Sequence, residues 1–503
     1  MTVRSALHRP LCPEGRAAAE GAASAVCAEA ARPYVLAATI LASAMAFIDG
    51  SVVTIALPAI QDELATDFQR LQWVVHGYTL MLGALLLVGG GLGDRIGRRR
   101  VFVAGLLLFT LASIACAAAP SIGVLIAGRV VQGIGAAALV PQSLAIIAAS
   151  FPKEVRGAAI GTWAAASAVT TALGPPLGGF LIDSLSWRVA FWINIPLAAA
   201  AFWLTQRHVP ESRNEQAGGA VDWGGAAVAV VSLGVLTLGL TMLSEQGGSR
   251  GLAYSCLAVG ALGILPFLRL ESRAENPVMP PALFRSPVFT GTNIVTLFLY
   301  GSLSGALFLL PFELIERRGL SATQVGLTLL PLGLIIGLFS RRAGAAADRV
   351  GPRPFLAVGA LLVVLACAGL ALNLSNFWLG VLLPVLLLAA GLATAVSPLT
   401  TAVMNSVPDA QSGAASGVNN AASRLAGLFS VAILGAVASL LFARAAPPQA
   451  RFGVLPPLDD PARATLEGAF STGYAAAMAL AAVGAAAAAV CSFLLPRRAA
   501  RPA

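Results

Sequence analysis

The stretch VGGGLGDRIGRRRVF, residues 88–102, places one acid, four arginines and several glycines between two long apolar runs. A second copy of its pattern follows much later, in GAAADRVGPRP, residues 344–354. The positions that recur are Gly90, Asp94, Arg95, Gly97 and Arg98 in the first copy and Gly344, Asp348, Arg349, Gly351 and Arg353 in the second. An internal repeat of this kind indicates two related halves in one chain.

The composition is that of a membrane protein. Of the 503 residues, 57% are hydrophobic and only 11% are charged, with a mean hydropathy of +0.83, whereas a soluble domain carries about a quarter charged residues. The net charge of +9 does not indicate a nucleic-acid groove, because the basic residues fall in short loops instead of clustering with aromatic residues on a polar face. The six cysteines lack metal-ligand or disulfide spacing, so we expect packing roles and no metal site.

Apolar runs long enough to cross a bilayer core of about 30 Å recur along almost the whole chain. With glycine, proline and charge taken as boundaries, hydropathy predicts fourteen transmembrane helices. They lie at 34–58, 72–92, 101–119, 122–146, 158–180, 189–206, 222–243, 252–270, 288–312, 324–342, 354–372, 377–404, 413–442 and 470–495. With a cytosolic N-terminus, most of the 32 Lys and Arg residues fall on the inside. The positive-inside rule therefore predicts a multi-pass plasma-membrane protein with both termini cytosolic.

Each copy of the repeated loop joins the second and third helices of a six-helix unit. The predicted fold is therefore an all-α membrane protein with two six-helix pseudo-repeats and two inserted central helices. The boundaries are 1–33 for a disordered cytosolic tail, 34–206 for the first half, 207–287 for a linker with two additional helices, 288–495 for the second half and 496–503 for a cytosolic tail. Parallel six-helix repeats build one class of secondary transporter, whose substrate site lies between the halves near the bilayer midplane.

In this architecture the repeated loop is a candidate gate. Its glycines permit a tight turn and a close approach of helix ends, and Asp94 can interact with a helix N-terminus or an arginine at the cytosolic rim. We expect such contacts to hold the cytosolic side closed until the halves move. The gating candidates in the two loops are Gly90, Asp94, Arg95, Gly97, Arg98, Asp348 and Arg349. A simple orientation signal is the alternative, and it explains the arginines but not the repeated glycine-to-aspartate spacing.

Further motifs resemble those of the major facilitator superfamily, and in particular its fourteen-helix drug:proton antiporter branch. The resemblance covers residues 34 to about 442 and rests on FIDGSVVTIALPAI, LQWVVHGYTL, GRVVQGIGAAALVPQ, ALGPPLGGF, SWRVAFWINIPLA, NPVMPPALFRSPVF, GLSATQVGLTLLPLGL and GAASGVNNAASRLAG. The stretch ALGPPLGGF, in the fifth predicted helix, resembles the antiporter motif found in exporters rather than importers. The resemblance implies a proton-coupled exporter of drugs or antibiotics with the major facilitator fold.

The chain departs from the pattern of this branch in three places. The second loop copy has Pro352 after its second glycine and lacks a leucine at the position of Leu92, so we expect weaker gate contacts there. His76 stands where the branch commonly has a small polar residue. The ninth predicted helix ends in PFELIERRG, with Glu313 and Glu316, where the branch has a glutamine-rich end.

Two ionisable residues lie deep within predicted helices, where a charge is costly unless it faces a partner or a polar cavity. Asp49 is nine residues from the predicted outer end of its helix, about 13 Å, and Arg129 is seven residues from its own, about 10 Å. Their similar depths predict one shared polar cavity, with Asp49 as the proton carrier, because burial and a nearby cation oppose each other in setting a carboxylate's proton affinity. The alternatives are a helix-packing role for Asp49 and a fixed counter-charge for Arg129.

Further candidates line the predicted helices. Those in the fifth helix are Gly174, Pro175, Gly178 and Gly179, which allow close helix approach and a bend. Tight packing without movement is the alternative for these four residues. The candidates for a substrate cavity are His76, Gln132, Arg424 and Glu313. His76 is alternatively a packing histidine, and Arg424 a rim residue.

The sequence therefore predicts a monomeric, proton-driven exporter of lipophilic small molecules that uses no cofactor beyond the proton gradient. An exporter dedicated to one endogenous metabolite or antibiotic is the alternative, and a nutrient symporter is less favoured. No Gly-x-x-x-x-Gly-Lys-Ser/Thr phosphate loop occurs, which excludes a pump that uses such a loop to bind ATP. The sequence also lacks a candidate nucleophile with a general base in a plausible site, so it does not indicate an enzyme. Because Asp49 is committed to protons, we expect neutral or singly charged substrates to be preferred over dications.

Overall fold

Long α-helices form the whole of the fold in the computed structural model. The structure describes residues 29–495 apart from 214–221, 244–248, 275–276, 278, 409–410, 448–449 and 457–459. Among these residues, fourteen helices are long and apolar enough to cross a membrane, and no strand is present. The prediction of an all-α membrane protein with fourteen spans is confirmed.

The helices along the chain are α1 (Arg32–Glu63), α2 (Phe68–Ile96), α3 (Arg98–Ala117), α4 (Ile122–Ser150), α5 (Lys153–Ser184), α6 (Val189–His208), α7 (Trp223–Met242), α8 (Arg250–Arg273), α9 (Pro287–Arg317), α10 (Ala322–Val350), α11 (Pro352–Ala371), α12 (Trp378–Met404), α13 (Ser412–Ala445) and α14 (Arg463–Leu494). Four of them are irregular. The helix is interrupted at Ile193 in α6 and at Gly263 in α8. A wider π-helical turn ends α9, at Glu313–Arg317, and another begins α12, at Trp378–Leu382.

Polar caps and glycine turns set the helix ends. Asp67, Ser121 and Ser321 precede α2, α4 and α10, and each side chain accepts a hydrogen bond from a backbone N–H of the first turn. Gly97 and Gly351, the second glycines of the repeated loops, have φ angles of 117° and 100°, which residues with a Cβ rarely adopt. The repeat therefore encodes the same tight turn twice, between α2 and α3 and between α10 and α11.

Some predicted boundaries differ from the observed helices. α1 continues past residue 58 to Glu63, because its last polar residues extend the helix beyond the apolar run that hydropathy detects. Asp49 therefore lies fourteen residues from this helix end, about 21 Å, and not nine. Residues 1–28 of the predicted tail 1–33 lie outside the described residues. The rest of this tail, from Glu29, is helical. The tail 496–503 lies outside them entirely.

The helices pack as two bundles. α1–α6 pack together as the first bundle and α9–α14 as the second, while α7 and α8 pair with each other. α7 also lies against α2 and α13, so it covers a line where the bundles meet. On α2, Gln69 Nε2 donates to Thr241 O at 3.0 Å and Leu80 packs on Gly234. Two six-helix bundles with two inserted helices are the arrangement that the sequence predicts.

The bundles meet along two seams, one between α5 and α10 and one between α2 and α13. We call the end of the molecule with the turns at Gly97 and Gly351 the repeat-loop end, and the opposite end, with Glu63 and Asp183, the far end. Gln72 Nε2 of α2 donates to Val431 O of α13 at 3.2 Å toward the far end. Leu87 contacts Gly417 toward the repeat-loop end, so the α2–α13 seam is packed along much of its length.

The α5–α10 seam is packed from the far end to the middle of the two helices, where Gly333 and Gly337 lie against Ala172 and Ala168. Toward the far end, Gly179 of α5 and Gly326 of α10 approach the opposite helix so closely that a Cβ on either would overlap its backbone. Gly161 and Gly157 continue the same face of α5 toward the repeat-loop end, because they follow at helical spacing. Among the described residues, nothing lies within 4 Å of the position that a Cβ would take on either glycine. Along this seam the bundles touch from the far end to the middle and stand apart at the repeat-loop end.

Candidate functional site

An ion pair lies at the centre of the first bundle. Asp49, in the middle of α1, is fully buried, and Arg129 of α4 is only 1% exposed. Arg129 Nη1 donates to Asp49 Oδ2 at 2.5 Å, and Arg129 Nε donates to the carbonyl oxygen of Val74 in α2 at 3.0 Å. The structure thus brings together the two ionisable residues that the sequence places at similar depths.

The Asp49 carboxylate has further donors besides the arginine. Gln132, one turn along α4, donates from Nε2 to Asp49 Oδ1 at 2.8 Å and accepts from Arg129 Nη1 at 2.7 Å. Asn194 Nδ2 lies 3.5 Å from the same Oδ1 and comes from the point where α6 restarts after its interruption. Both carboxylate oxygens therefore accept hydrogen bonds although the side chain is shielded from solvent.

Ser113 and Tyr78 complete this network. Ser113 of α3 accepts from Asn194 Nδ2 at 2.9 Å and donates to the carbonyl oxygen of Phe191 at 2.9 Å. The Tyr78 ring covers the guanidinium, with 4.3 Å between Arg129 Cζ and the ring centroid, a cation–π contact. The sequence analysis missed Ser113, Tyr78 and Asn194. Their only signal was a polar group within an apolar run, which does not show which helix faces meet.

Arg129 has hydrogen-bond acceptors besides Asp49. While Asp49 is ionised, Arg129 balances its charge, and the amide of Gln132 adds a charge-assisted hydrogen bond. When Asp49 binds a proton, Arg129 keeps two acceptors, Val74 O and Gln132 Oε1. A change of protonation is therefore expected to shift the arginine relative to the carboxylate and to leave the surrounding helices in place.

The first copy of the repeated loop is tied within its own bundle. Arg98 Nη2 donates to Asp94 Oδ1 at 2.8 Å, and the Arg98 backbone N–H donates to Ser212 O at 2.8 Å. The predicted partner of Asp94 is a helix terminus or an arginine. In this structure the partner is an arginine of the same loop, so the contact does not join the bundles.

Glu211, which follows α6, also braces this loop. Its carboxylate accepts from the backbone N–H groups of Arg99 at 3.1 Å and Arg100 at 3.2 Å, at the N-terminus of α3, where a negative charge is favourable. It lies against Gly97, whose missing side chain leaves the space for it. Glu211 is a residue that the sequence analysis missed, because it is distant from the loop in the chain.

The close approach of α2 to α4 depends on glycines other than Gly90. A Cβ on Gly89 would overlap the backbone of α4, and one on Gly93 would overlap Gln142. The Gly90 position leaves ordinary contact distance, 3.7 Å, to Pro141. Of the other loop candidates, Arg95 Nη1 donates to a carbonyl oxygen of its own helix at 3.2 Å.

The second copy of the loop has fewer contacts. Asp348 and Arg349 are both exposed. Within the part of the chain that the structure describes, neither side chain makes a hydrogen bond or an ion pair. The counterpart of Glu211 would follow α14, in residues 496–503, which lie outside that part. The two loops therefore share a backbone turn but differ in their side-chain contacts.

The glycine and proline candidates in α5 are packing residues in this state. Gly174 and Gly178 lie against Ser51 and Val52 of α1, and Pro175 and Gly179 lie against α10. The first pair joins helices within the first bundle, while the second pair forms the far-end part of the α5–α10 seam.

Asp183, at the end of α5, joins the two bundles directly. Its Oδ1 accepts from the backbone N–H of Ala322 at 3.0 Å. Its Oδ2 accepts from the backbone N–H of Thr323 at 2.7 Å and from the Thr323 hydroxyl at 2.6 Å. Asp183 thus caps α10 of the other bundle. The sequence analysis missed it, since a cap supplied by a distant helix leaves no local signal.

Three cavity candidates are buried. Gln132 and His76 are 0% exposed and Glu313 is 1% exposed, so none of them lines an open cavity in this structure. Gln132 belongs to the Asp49 network, and Glu313 lies in an ion cluster with Arg317 and Arg318 at the far end. His76 lies on the face of α2 that packs on α7, beside Trp73. Arg424, the fourth candidate, lies at the α2–α13 seam.

Comparison with known proteins agrees with this architecture. The profile described as Major Facilitator Superfamily matches residues 39–431. The chain is 34% identical over 403 residues to the "Multidrug resistance protein Stp" of Mycobacterium tuberculosis (strain CDC 1551 / Oshkosh), covering 80% of this chain and 75% of that protein. It is 33% identical over 401 residues to the "Methylenomycin A resistance protein" of Streptomyces coelicolor, covering 78% of this chain and 83% of that protein.

Solved structures share the fold. A bacterial homolog to the human lysosomal transporter Spinster, in an inward-facing and unoccupied conformation, superposes with a TM-score of 0.67. The match covers 93% of this chain and 97% of that one, at 18% sequence identity. At that identity the likeness shows a common fold and carries no information on substrate.

Proposed function

This chain belongs to the Major Facilitator Superfamily, and we propose that it exports lipophilic small molecules, such as drugs or antibiotics, across the plasma membrane in exchange for protons. The observation that carries this proposal is the similarity, over about four-fifths of the chain, to a protein named for multidrug resistance. The contacts inside the first bundle support the proton exchange, and the unequal packing of the seams supports the transport cycle.

Asp49 is the residue that we propose to carry the proton. It is buried in the first bundle and makes an ion pair with Arg129. An ionisable group at this depth is costly unless it has a function or a partner. We propose that Asp49 exchanges its interaction with Arg129 for a proton during each cycle, so that proton binding and release change the charge balance of the first bundle.

We propose that the repeat-loop end faces the cytosol, as the positive-inside rule indicates, with both termini on that side. The structure then corresponds to a state that is open to the cytosol along the α5–α10 seam. The far end is closed by Asp183 on α10 and by ring contacts of Phe68 with Phe308, Phe312 and Phe452 at centroid distances of 5.7, 5.5 and 4.6 Å. Export requires these contacts to open and the cytosolic part of the seam to close.

The working unit that we propose is a monomer built from the halves 34–206 and 288–495, with the linker 207–287 supplying α7 and α8. The substrate site lies between the halves, and no nucleic acid takes part. An exporter dedicated to one compound is the alternative, and the similarity to a protein named for methylenomycin A resistance supports it. The two proposals differ in breadth, so a panel of unrelated compounds separates them.

The test is a susceptibility and efflux panel in a bacterial host that lacks its own drug pumps. The intact chain is compared with Asp49→Asn and with Glu154→Gln, which makes the same chemical change at an exposed position of α5. We expect the intact chain and Glu154→Gln to lower drug accumulation, and Asp49→Asn to lose this effect at equal expression. Accumulation of compounds above the level of the empty host would instead indicate uptake and would overturn the proposal of export.

A further inference from the structure

Arg424 is an uncompensated charge deep in the membrane part of the protein. It lies twelve residues into α13, about 18 Å from the repeat-loop end of that helix. Within the residues that the structure describes, its guanidinium makes no hydrogen bond and no ion pair. The other arginine at comparable depth, Arg129, is fully paired with Asp49. An ionisable residue within a transmembrane helix is costly unless it faces a partner or a water-filled cavity, so such a residue is expected to have a function.

The position of Arg424 is at the junction of the bundles. The Cβ of Arg424 lies 3.2 Å from the place that a Cβ on Gly83 of α2 would occupy. Because Gly83 has no side chain, there is room for the Arg424 side chain to extend from α13. α2 belongs to the first bundle and α13 to the second, so Arg424 emerges from the seam itself.

The guanidinium lies on the side of this seam away from lipid. α7 covers the lipid side of α2, where Leu80 packs on Gly234. Tyr78 lies on the opposite face of α2, because it is two residues from Leu80 on a helix of 3.6 residues per turn. Tyr78 of α2 and Tyr300 of α9 both lie within electrostatic range of Arg424. These two tyrosines come from different bundles, which places the partly exposed arginine toward the space between them.

Tyr78 places a second polar group beside the same region, with its hydroxyl shielded from solvent in this structure. Its side chain is 5% exposed, and its hydroxyl has no hydrogen-bond partner among the described residues. The ring already covers Arg129, so Tyr78 lies between the proton site and Arg424. A guanidinium and a phenolic hydroxyl are both hydrogen-bond donors, and together they suit a planar group with a delocalised negative charge.

We propose that Arg424, with Tyr78, forms a subsite for the acidic group of a lipophilic organic anion, a carboxylate or a phenolate. This inference rests on the proposed export function and names its substrate class. The bound anion supplies the counter-charge that Arg424 lacks, while the apolar part of the substrate lies between the bundles. The Arg424 charge repels cations, so this subsite disfavours dications.

The test uses two dyes with a shared xanthene frame and different charge. Fluorescein carries a carboxylate and a phenolate, and rhodamine 123 is a cation whose carboxyl group is esterified. Binding to the purified full chain is measured by fluorescence anisotropy. We expect fluorescein to bind about tenfold more tightly than rhodamine 123 to the parent protein, and Arg424→Gln to weaken fluorescein binding about tenfold with little change for rhodamine 123.

Two variants control this measurement. Arg424→Lys keeps the charge, so it is expected to retain most of the fluorescein affinity that Arg424→Gln loses. Arg444→Gln removes an exposed arginine near the far end of the same helix and is expected to leave the binding of both dyes unchanged. Equal weakening of both dyes by Arg424→Gln would indicate a structural role and would overturn the inference, as would the lack of saturable fluorescein binding to the parent.

Failure of this inference is distinct from failure of the proposed function. If the parent exports rhodamine 123 and other drugs but binds fluorescein no more tightly than the cation, export stands and the anion subsite is wrong. If no compound of the efflux panel is exported, the proposed function fails even where fluorescein binds.

Discussion

The two bundles share a fold but differ in the chemistry of their interiors. In the first bundle, α1 carries Asp49, whose charge is paired with Arg129. In the second bundle, the middle of α9 carries Ser302, which donates to the carbonyl oxygen of Ala481 at 2.8 Å. The packing of the first helix of each bundle is thus stabilised by a buried ion pair in the first bundle and by neutral hydrogen bonds in the second.

A second polar group in the second bundle is also neutral. Asn419 Nδ2 of α13 donates to Asn293 Oδ1 at 3.1 Å and to Thr296 Oγ1 at 2.7 Å, both in α9. Replacement of buried ion pairs by neutral groups is compatible with stability, so folding alone does not require Asp49 and Arg129. We therefore expect the proton step to take place in the first bundle, since the buried ion cluster of Glu313 in the second bundle lies at the far end and not in its middle.

The largest effect is expected for Asp49→Asn, which should reduce substrate-driven proton movement to background. An asparagine can accept the hydrogen bond from Gln132 but cannot bind and release a proton. The measurement is the change of internal pH on substrate addition in proteoliposomes, with Glu154→Gln as the control. Normal proton movement in Asp49→Asn would show that the carboxylate is a packing group and that the bundles do not differ in this respect.

The same variant also tests the charge balance. Loss of one partner leaves Arg129 buried and uncompensated, which costs about 3–5 kcal/mol in comparable buried pairs. The double variant Asp49→Asn with Arg129→Gln should recover part of this stability while proton movement stays absent. Thermal unfolding of the purified variants measures the recovery. A double variant less stable than either single one would contradict the role of Arg129 as the counter-charge.

The features that the sequence predicts are those with a local cause. The apolar runs predict fourteen helices, and the repeated glycines predict the turns at Gly97 and Gly351, because length, hydropathy and backbone freedom act within a few residues. Asp49 and Arg129 are found because charge is rare in apolar helices. Asn194 and Asp183 are missed, since their contacts depend on which helix faces meet after the chain has folded. No property of the neighbouring residues records that information.

The next effect concerns Asp183, with Ser321 as its counterpart. Both side chains cap α10, but Asp183 belongs to the first bundle and Ser321 to the second. Asp183→Ala should raise the population with an open far end about tenfold, as for loss of a charged helix cap, and Ser321→Ala should change it less than about twofold. Equal effects would mean that Asp183 stabilises the helix and does not hold the bundles together.

The measurement for this pair is the distance between spin labels across the α5–α10 seam. Leu185 and Leu327 are exposed, at 69% and 53%, and suit labelling after replacement by cysteine in a chain without its native cysteines. In the labelled protein that retains Asp183, the population with a longer distance is expected to be weak or absent. Asp183→Ala is expected to increase that population. No change in the distance distribution would exclude Asp183 as a contact that closes the far end.

A smaller difference is expected between the two loop aspartates. Asp94→Asn removes the partner of Arg98 and should lower the efflux rate about threefold to fivefold, whereas Asp348→Asn, which removes no contact among the described residues, should lower it less than about 1.5-fold. Efflux of one dye at matched expression measures both. Equal losses would favour the interpretation of both loops as orientation signals, because the side-chain contacts of the first copy would then have no effect.

The smallest effect is expected for Asn419→Ala in the second bundle. It removes two neutral hydrogen bonds, but Asn293 Nδ2 still donates to Phe289 O and Thr296 Oγ1 still donates to Thr292 O. The stability loss should therefore be about 2 kcal/mol, at about 1 kcal/mol for each of the two neutral hydrogen bonds, and the number of protons moved per substrate should stay unchanged. Thermal unfolding and the ratio of proton to substrate flux in proteoliposomes measure these two quantities. A lowered proton-to-substrate ratio in Asn419→Ala would place part of the proton step in the second bundle. Coupling would then extend across the seam at Arg424, and the ion pair of the first bundle would be only one of its components.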